Sequence, residues 1–125
     1  MLNAKKEPHN SDKYYWTEHA KSKLKQYGLS AQRVIRIVNH PLRTEEAVAP
    51  NCVACMQRIG NKKKTELWTM YQEKLQIQNL KSQKREDLIT PRKIIISAWR
   101  YPGLTQPGKP VPIPEDTLEE LNKIK

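Results

Sequence analysis

The junction Gly28-Leu29-Ser30, where two segments of helical periodicity meet, constrains this chain more than any other feature. Ahead of it, Ala20, Leu24 and Tyr27 recur at i, i+4 and i+7, which is one face of a helix. The apolar entry Tyr14-Tyr15-Trp16 precedes that helix, Thr17 stands where an N-cap belongs, and Glu18 falls in the first turn. Gly28 supplies the left-handed stop. The opposite side carries His19, Lys23 and Gln26. Ser30 can cap a second helix at once, with Val34, Ile35 and Val38 as its buried face and Arg33, Arg36 and His40 along a polar stripe. Pro41 ends it, because a residue before proline is pushed out of the helical region. The expected result is a compact helical hairpin.

Beyond Pro41 the chain turns to strand-like patterns. Leu42 to Asn51 is expected to be a loop, with Pro50 as a breaker. Three strand-like runs come next: Cys52 to Ile59, closed by Gly60-Asn61 and a lysine-rich turn; Glu66 to Gln72; and Lys93 to Tyr101. The run Ile94-Ile95-Ile96 is short and β-branched, as in a central strand covered on both faces. Glu73 to Arg92 reads two ways, as a continuation of the hairpin through Leu75 and Ile77 or as a short helix from Leu75 to Lys84. Its Lys81-Ser82-Gln83-Lys84-Arg85 stretch is expected to be exposed.

Composition changes after Tyr101, where Pro102, Pro107, Pro110, Pro112 and Pro114 favour an extended segment. Pro114-Glu115-Asp116 then opens a short helix with Leu118, Leu121 and Ile124 along one side. This proline-rich tail reads equally as a linker with a frayed end and as a strap over the sheet or a partner. The expected organisation is a flexible tail (1–13), one α+β domain (14–101) of two N-terminal helices packed on an antiparallel β-meander, and a C-terminal tail (102–125).

The chain of 125 residues carries 23 Lys+Arg against 13 Asp+Glu, a net charge of +10, which favours an anionic partner, above all a nucleic acid. Lys23, Arg33, Arg36, Lys62, Lys63, Lys64, Lys84 and Arg85 are the expected phosphate contacts, most of them lysines suited to phosphate attraction more than to base reading. Mean hydropathy is −0.84, and no apolar run approaches the ~18 residues that cross a bilayer. With no apolar stretch of a secretion signal in residues 1–13, the expected location is the cytoplasm, away from membranes.

Cys52-Val53-Ala54-Cys55 has the spacing of half a zinc site, yet no second cysteine pair exists and His9, His19 and His40 lie at no fixed ligand spacing. On a strand the two cysteines point to opposite faces, as packing residues do. No glycine-rich phosphate loop, nucleophile elbow or acidic set for Mg²⁺ is present, so neither a metal nor another cofactor is expected. The remaining inventory of His, Tyr and Arg suffices for metal-free RNA cleavage. Such cleavage needs a group to take the 2′-hydroxyl proton, cations facing the phosphorane, and a donor for the leaving oxygen. The same set also arises on any basic surface.

The order Trp16-Thr17-Glu18-His19-Ala20, Gln26-Tyr27-Gly28-Leu29-Ser30, Val34 and Val38, His40-Pro41, and finally Lys93-Ile94-Ile95-Ile96-Ser97-Ala98-Trp99-Arg100-Tyr101 resembles a family of small bacterial and phage domains. These are similar to BrnT-type toxins and, more distantly, to the RelE/ParE superfamily. The resemblance spans Tyr14 to Tyr101. It implies two helices on an antiparallel sheet and, in toxin members, a ribonuclease acting freely or on the ribosome and neutralised by an antitoxin, here expected to be acidic. It further implies His19 as general base or phosphate ligand, with Arg58, Arg100 and Tyr101 as the other catalytic candidates. His19 is equally suited to packing on Trp16 or capping backbone, and Arg58 to a solvated strand edge. The pattern's basic residue before the turn glycine is Tyr27 here, and the 73–92 insert and proline-rich tail have no counterpart in it. The expected function is an RNA-binding, toxin-like domain cleaving RNA without a metal. The alternatives are a non-catalytic module for RNA or an acidic protein on the same scaffold, and an interaction protein working through its proline-rich tail.

Overall fold

In the structure, a computed structural model describing residues 8–47, 49, 51–77 and 89–123, the chain is an α+β fold of three helices and one five-stranded mixed sheet. The strands are β1 (Tyr14–Trp16), β2 (Arg43–Glu46), β3 (Cys52–Ile59), β4 (Thr65–Ile77) and β5 (Ile89–Tyr101), in the order β1-β5-β4-β3-β2. The helices are α1 (Glu18–Tyr27), α2 (Ala31–Asn39) and α3 (Glu115–Asn122).

The helical hairpin forms where local chemistry demands it. Thr17 Oγ1 accepts from Ala20 N at 3.0 Å and Ser30 Oγ from Arg33 N at 3.1 Å, so each side chain satisfies a donor that a helix start leaves free. Gly28 sits at φ +65°, and its N–H and that of Leu29 close onto the last carbonyls of α1. A Cβ at Gly28 would meet nothing within 4 Å, so a side chain there strains only the backbone. Gly28→Ala is therefore expected to cost about 1 kcal/mol, the left-handed penalty for an L-residue. Urea unfolding should show a lower midpoint with an unchanged slope; an unaltered midpoint would sink this account of the turn.

Several expectations need correction. The antiparallel meander is a mixed sheet, because Tyr14–Trp16 is a strand, paired parallel to β5 with Trp16 opposite Ile95. Arg43–Glu46, expected to be loop, pairs antiparallel with β3. Within residues 8–13, Asn10 Oδ1 accepts from Trp16 N at 2.8 Å. In the 73–92 segment the hairpin reading prevails over the helix, since β4 and β5 stay paired to Ile77 and Ile89. On α2 it is Ile37, with Val34 and Val38, that is buried, while Ile35 is half-buried. Pro50, residues 81–85 and Ile124 lie outside the described residues, as do residues 1–7 of the N-terminal tail.

The sheet is covered on both sides. One core joins α1 and α2 to Trp16, Cys55, Leu67, Ile95 and Ala98. The other gathers Ala54, Met56, Trp68, Met70, Ile96 and Trp99 under Leu121 of α3, with Val111 and Ile113 packed beside it. Ile95 and Ile96 thus serve opposite faces. The tail is held as a strap: Arg43 bonds Lys109 O at 2.6 Å, and Thr105 N and Oγ1 bond the buried Glu66 carboxylate at 2.8 and 2.9 Å.

One irregularity re-aims the end of β5. Met70 pairs with Ser97 but Tyr71 with Ile95, so Ile96 is an extra residue, a β-bulge. Simple alternation puts Arg100 on the face of Ile94, Ile96 and Ala98. The bulge breaks that series, leaving Ala98 in the helix-side core with Ile95 and Ile96 in the other.

Candidate functional site

The Gly28 turn and the end of β5 build a shallow depression of about 240 Å³, lined by Gly28, Leu29, Ser30, Arg33, Ile59, Leu67 and Arg100. Leu29 and Leu67 are buried beneath it. Arg33 stands in the first turn of α2, held there by the Ser30 cap. Arg100, exposed at the end of β5, donates from Nη2 to Tyr27 O at 3.1 Å and so caps the C-terminus of α1.

Among the described residues no carboxylate lines this depression, and neither arginine is ion-paired to one. The first turn of α2 contains no acidic residue, so the partial positive charge of its N-terminus adds to the two guanidiniums. Arg36, three residues further along α2, is exposed. Ile59 leads directly into the turn carrying Lys62, Lys63 and Lys64, all exposed. Lys62 and Lys63 take positive φ (62° and 50°), a conformation costing about 1–2 kcal/mol for an L-residue, in a turn opened by Gly60 at φ +89°.

The other candidates are drawn elsewhere. His19 is only 14 % exposed; its Nε2 lies 3.3 Å from Thr117 Oγ1 and its Nδ1 3.8 Å from Glu120 Oε1, both on α3. Lys23, expected to meet phosphate, is instead buried, its Nζ 2.8 Å from Asp116 Oδ2 and 5.0 Å from the Tyr27 ring centroid. The Lys23 hydrogen bond and charge hold the Asp116 carboxyl below the usual range. Arg58 points to the strap side, donating to Glu66 Oε2 at 3.3 Å and Thr105 O at 2.9 Å. Tyr101 packs half-buried against the strap-side core. The four catalytic candidates therefore do not converge: His19 faces α3, Arg58 and Tyr101 the strap side, and Arg100 the depression. Lys84 and Arg85 lie outside the described residues.

Cys52 and Cys55 are buried in opposite cores. Burial raises both thiols, and that of Cys55 is pushed up to about 12 despite Lys93 nearby, so both stay protonated. Among the described residues no three His, Cys, Asp or Glu side chains gather as a metal set, and no helix is long and apolar enough to cross a membrane.

Sequence reasoning passed over the acidic partners. Asp116 and Glu120 stand i, i+4 on the terminal helix, the same spacing as His19 and Lys23 on α1, and that match was the available signal. No protein-family model, curated protein or solved structure matches the chain.

Proposed function

We propose that this chain is an RNA-binding domain, of the kind that the resemblance to BrnT- and RelE-type toxins implies, and that it holds the RNA backbone at the Arg33–Arg100 depression. The observation that carries this reading is the convergence of two arginines and a helix N-terminus with, among the described residues, no carboxylate between them. A guanidinium pair matches phosphate oxygens through forked donors. The exposed Arg36, Lys62, Lys63 and Lys64 extend the attraction along a backbone. An acidic protein partner, acting as an antitoxin would in the cytoplasm, would compete for this same surface.

Binding is preferred to cleavage. Proton transfer from a 2′-hydroxyl needs a base within hydrogen-bond reach of the phosphate held at Arg33 and Arg100, whereas among the described residues no histidine or carboxylate lines that depression and His19 stands on α1 against Thr117 and Glu120.

Fluorescence anisotropy with a labelled single-stranded RNA tests the reading. Arg33→Ala and Arg100→Ala are each expected to raise Kd about tenfold. Each should also flatten the slope of log K against log salt by about 0.7, the change for one phosphate contact on a single strand. The RNA should remain intact on a gel when ribosomes are present. Salt-independent binding, or arginine variants that bind like wild type, would refute the proposal.

A further inference from the structure

The depression is half of a longer basic strip. Lys23 stacks on the ring of Tyr27, and Arg100 bonds the carbonyl of the same residue. Tyr27 thus joins the Arg33–Arg100 depression to Lys23 and, one turn back along α1, to His19. The far half of this strip is covered by α3, which carries Glu115, Asp116, Glu119 and Glu120 within eight residues.

The two helices match position for position. Asp116 meets Lys23 and Glu120 meets His19, two carboxylates four residues apart against two bases four residues apart, in opposite chain directions. Carboxylates four residues apart on a helix have Cβ atoms about 5–6 Å apart, so α3 presents two neighbouring anions to α1. We propose that α3 is a displaceable acidic cover, and that single-stranded RNA held at Arg33 and Arg100 exchanges with it to gain Lys23 and His19 as further phosphate contacts. This inference rests on the RNA-binding reading above.

The construction of α3 suits such exchange. Its N-cap is Pro114, which makes no side-chain capping bond. Eight residues are too few to hold a helix in water without a surface to pack on. Only Thr117 and Leu121 of the helix are fully buried. The strap is pinned upstream, through Thr105 to Glu66 and Lys109 to Arg43, and between these anchors and α3 only Val111 and Ile113 pack, half-buried, on the strap-side core, so lifting α3 gives up two partial contacts and keeps both anchors. At ~3.1 Å per residue in extended proline-rich chain, residues 110–114 span about 15 Å. The exchange replaces two carboxylates by two phosphates and leaves Lys23 paired throughout.

A reversible staple tests this. Ser97 Oγ on β5 and Thr117 Oγ1 on α3 are 2.8 Å apart and buried. In the full chain carrying Ser97→Cys and Thr117→Cys, oxidation locks α3 down, and the native thiols lie buried in the cores. The oxidised form is expected to bind single-stranded RNA about tenfold more weakly than the reduced form. Its salt slope should be shallower by about 0.7, the value for the one phosphate contact of the Lys23 cation. As an independent arm, Asp116→Asn with Glu120→Gln keeps Thr117 and Leu121 but loosens the cover, and should tighten RNA binding severalfold. Equal affinity and slope in oxidised and reduced protein, or weaker binding by the amide variant, would overturn the cover while leaving the Arg33–Arg100 site standing. RNA that binds neither form would remove the proposed function and this inference with it.

Discussion

Replacing Glu66 by alanine is expected to cost the fold about 3–5 kcal/mol, the range for removing one partner from a buried charged network. Glu66 is fully buried, and its oxygens accept from Thr105 N at 2.8 Å, Thr105 Oγ1 at 2.9 Å, Trp68 Nε1 at 3.0 Å and Arg58 Nε at 3.3 Å. Alanine strands all four donors at once, and it releases the strap where it crosses β4. Glu66→Gln keeps one acceptor oxygen and should fall between alanine and wild type. Chemical denaturation of the three proteins measures the order; an alanine variant within 1 kcal/mol of wild type would show that the strap is not anchored here.

The same carboxylate sets an acid limit. Burial alone pushes the Glu66 carboxyl up, but the hydrogen bonds from Thr105, Trp68 and Arg58 outweigh it and hold the group below its ordinary range. A carboxyl with a depressed folded value binds its proton more readily when the chain is unfolded. Its contribution is therefore complete above the unfolded value of about 4.3 and is lost as pH falls through the lower folded value. Glu66→Gln should lack that component, so its stability should decline less steeply than wild type below pH ~4.3.

How legible this molecule is from its sequence depends on how far apart the interacting residues lie. Thr17, Gly28 and Ser30 act on neighbours three or four positions away, and the hairpin they define appears as expected. Cys52 to Ile59 is also found as read, because its signals are contained in the run itself. β1 has only three residues and a parallel partner some 80 positions on, so it reads as a helix entry; the cause lies in β5. β2 is Arg-Thr-Glu-Glu, with no apolar alternation, as a charged edge strand often is.

The candidate site divides in the same way. That Arg36, Lys62, Lys63 and Lys64 are exposed follows from their own positions in a helix stripe and a turn. Nothing near Lys23 announces its burial, because its partner Asp116 is 93 residues away. The bulge at Ile96 has no glycine or proline to mark it, yet it disrupts the alternation by which Arg100 would be placed. His19, Arg58, Arg100 and Tyr101 each stand on an element that the sequence reveals. Their dispersal to three places depends on that bulge, which leaves no local signature, and on the strap, whose prolines mark an extended segment without marking what it covers.

The paired indoles beneath the strap offer the second large effect. Trp68 and Trp99 stack with ring centroids 6.2 Å apart and planes 7° from parallel, and both are essentially fully buried. Trp99→Ala removes an indole that packs on the Trp68 ring and is expected to cost about 3–5 kcal/mol through lost burial and the cavity left behind. The phenylalanine variants separate packing from polarity. Trp68 Nε1 donates to Glu66 Oε1, whereas Trp99 Nε1 finds no acceptor among the described residues. Trp68→Phe therefore loses both ring area and a hydrogen bond to a buried carboxylate, while Trp99→Phe loses similar area and sheds an unmet donor. The first should be the more damaging by about 1–3 kcal/mol, the cost of stripping a buried charged acceptor of one partner. Equal destabilisation in urea, or a larger loss for Trp99→Phe, would mean that Glu66 does not depend on the indole. The four-donor account of the strap anchor would then fail with it.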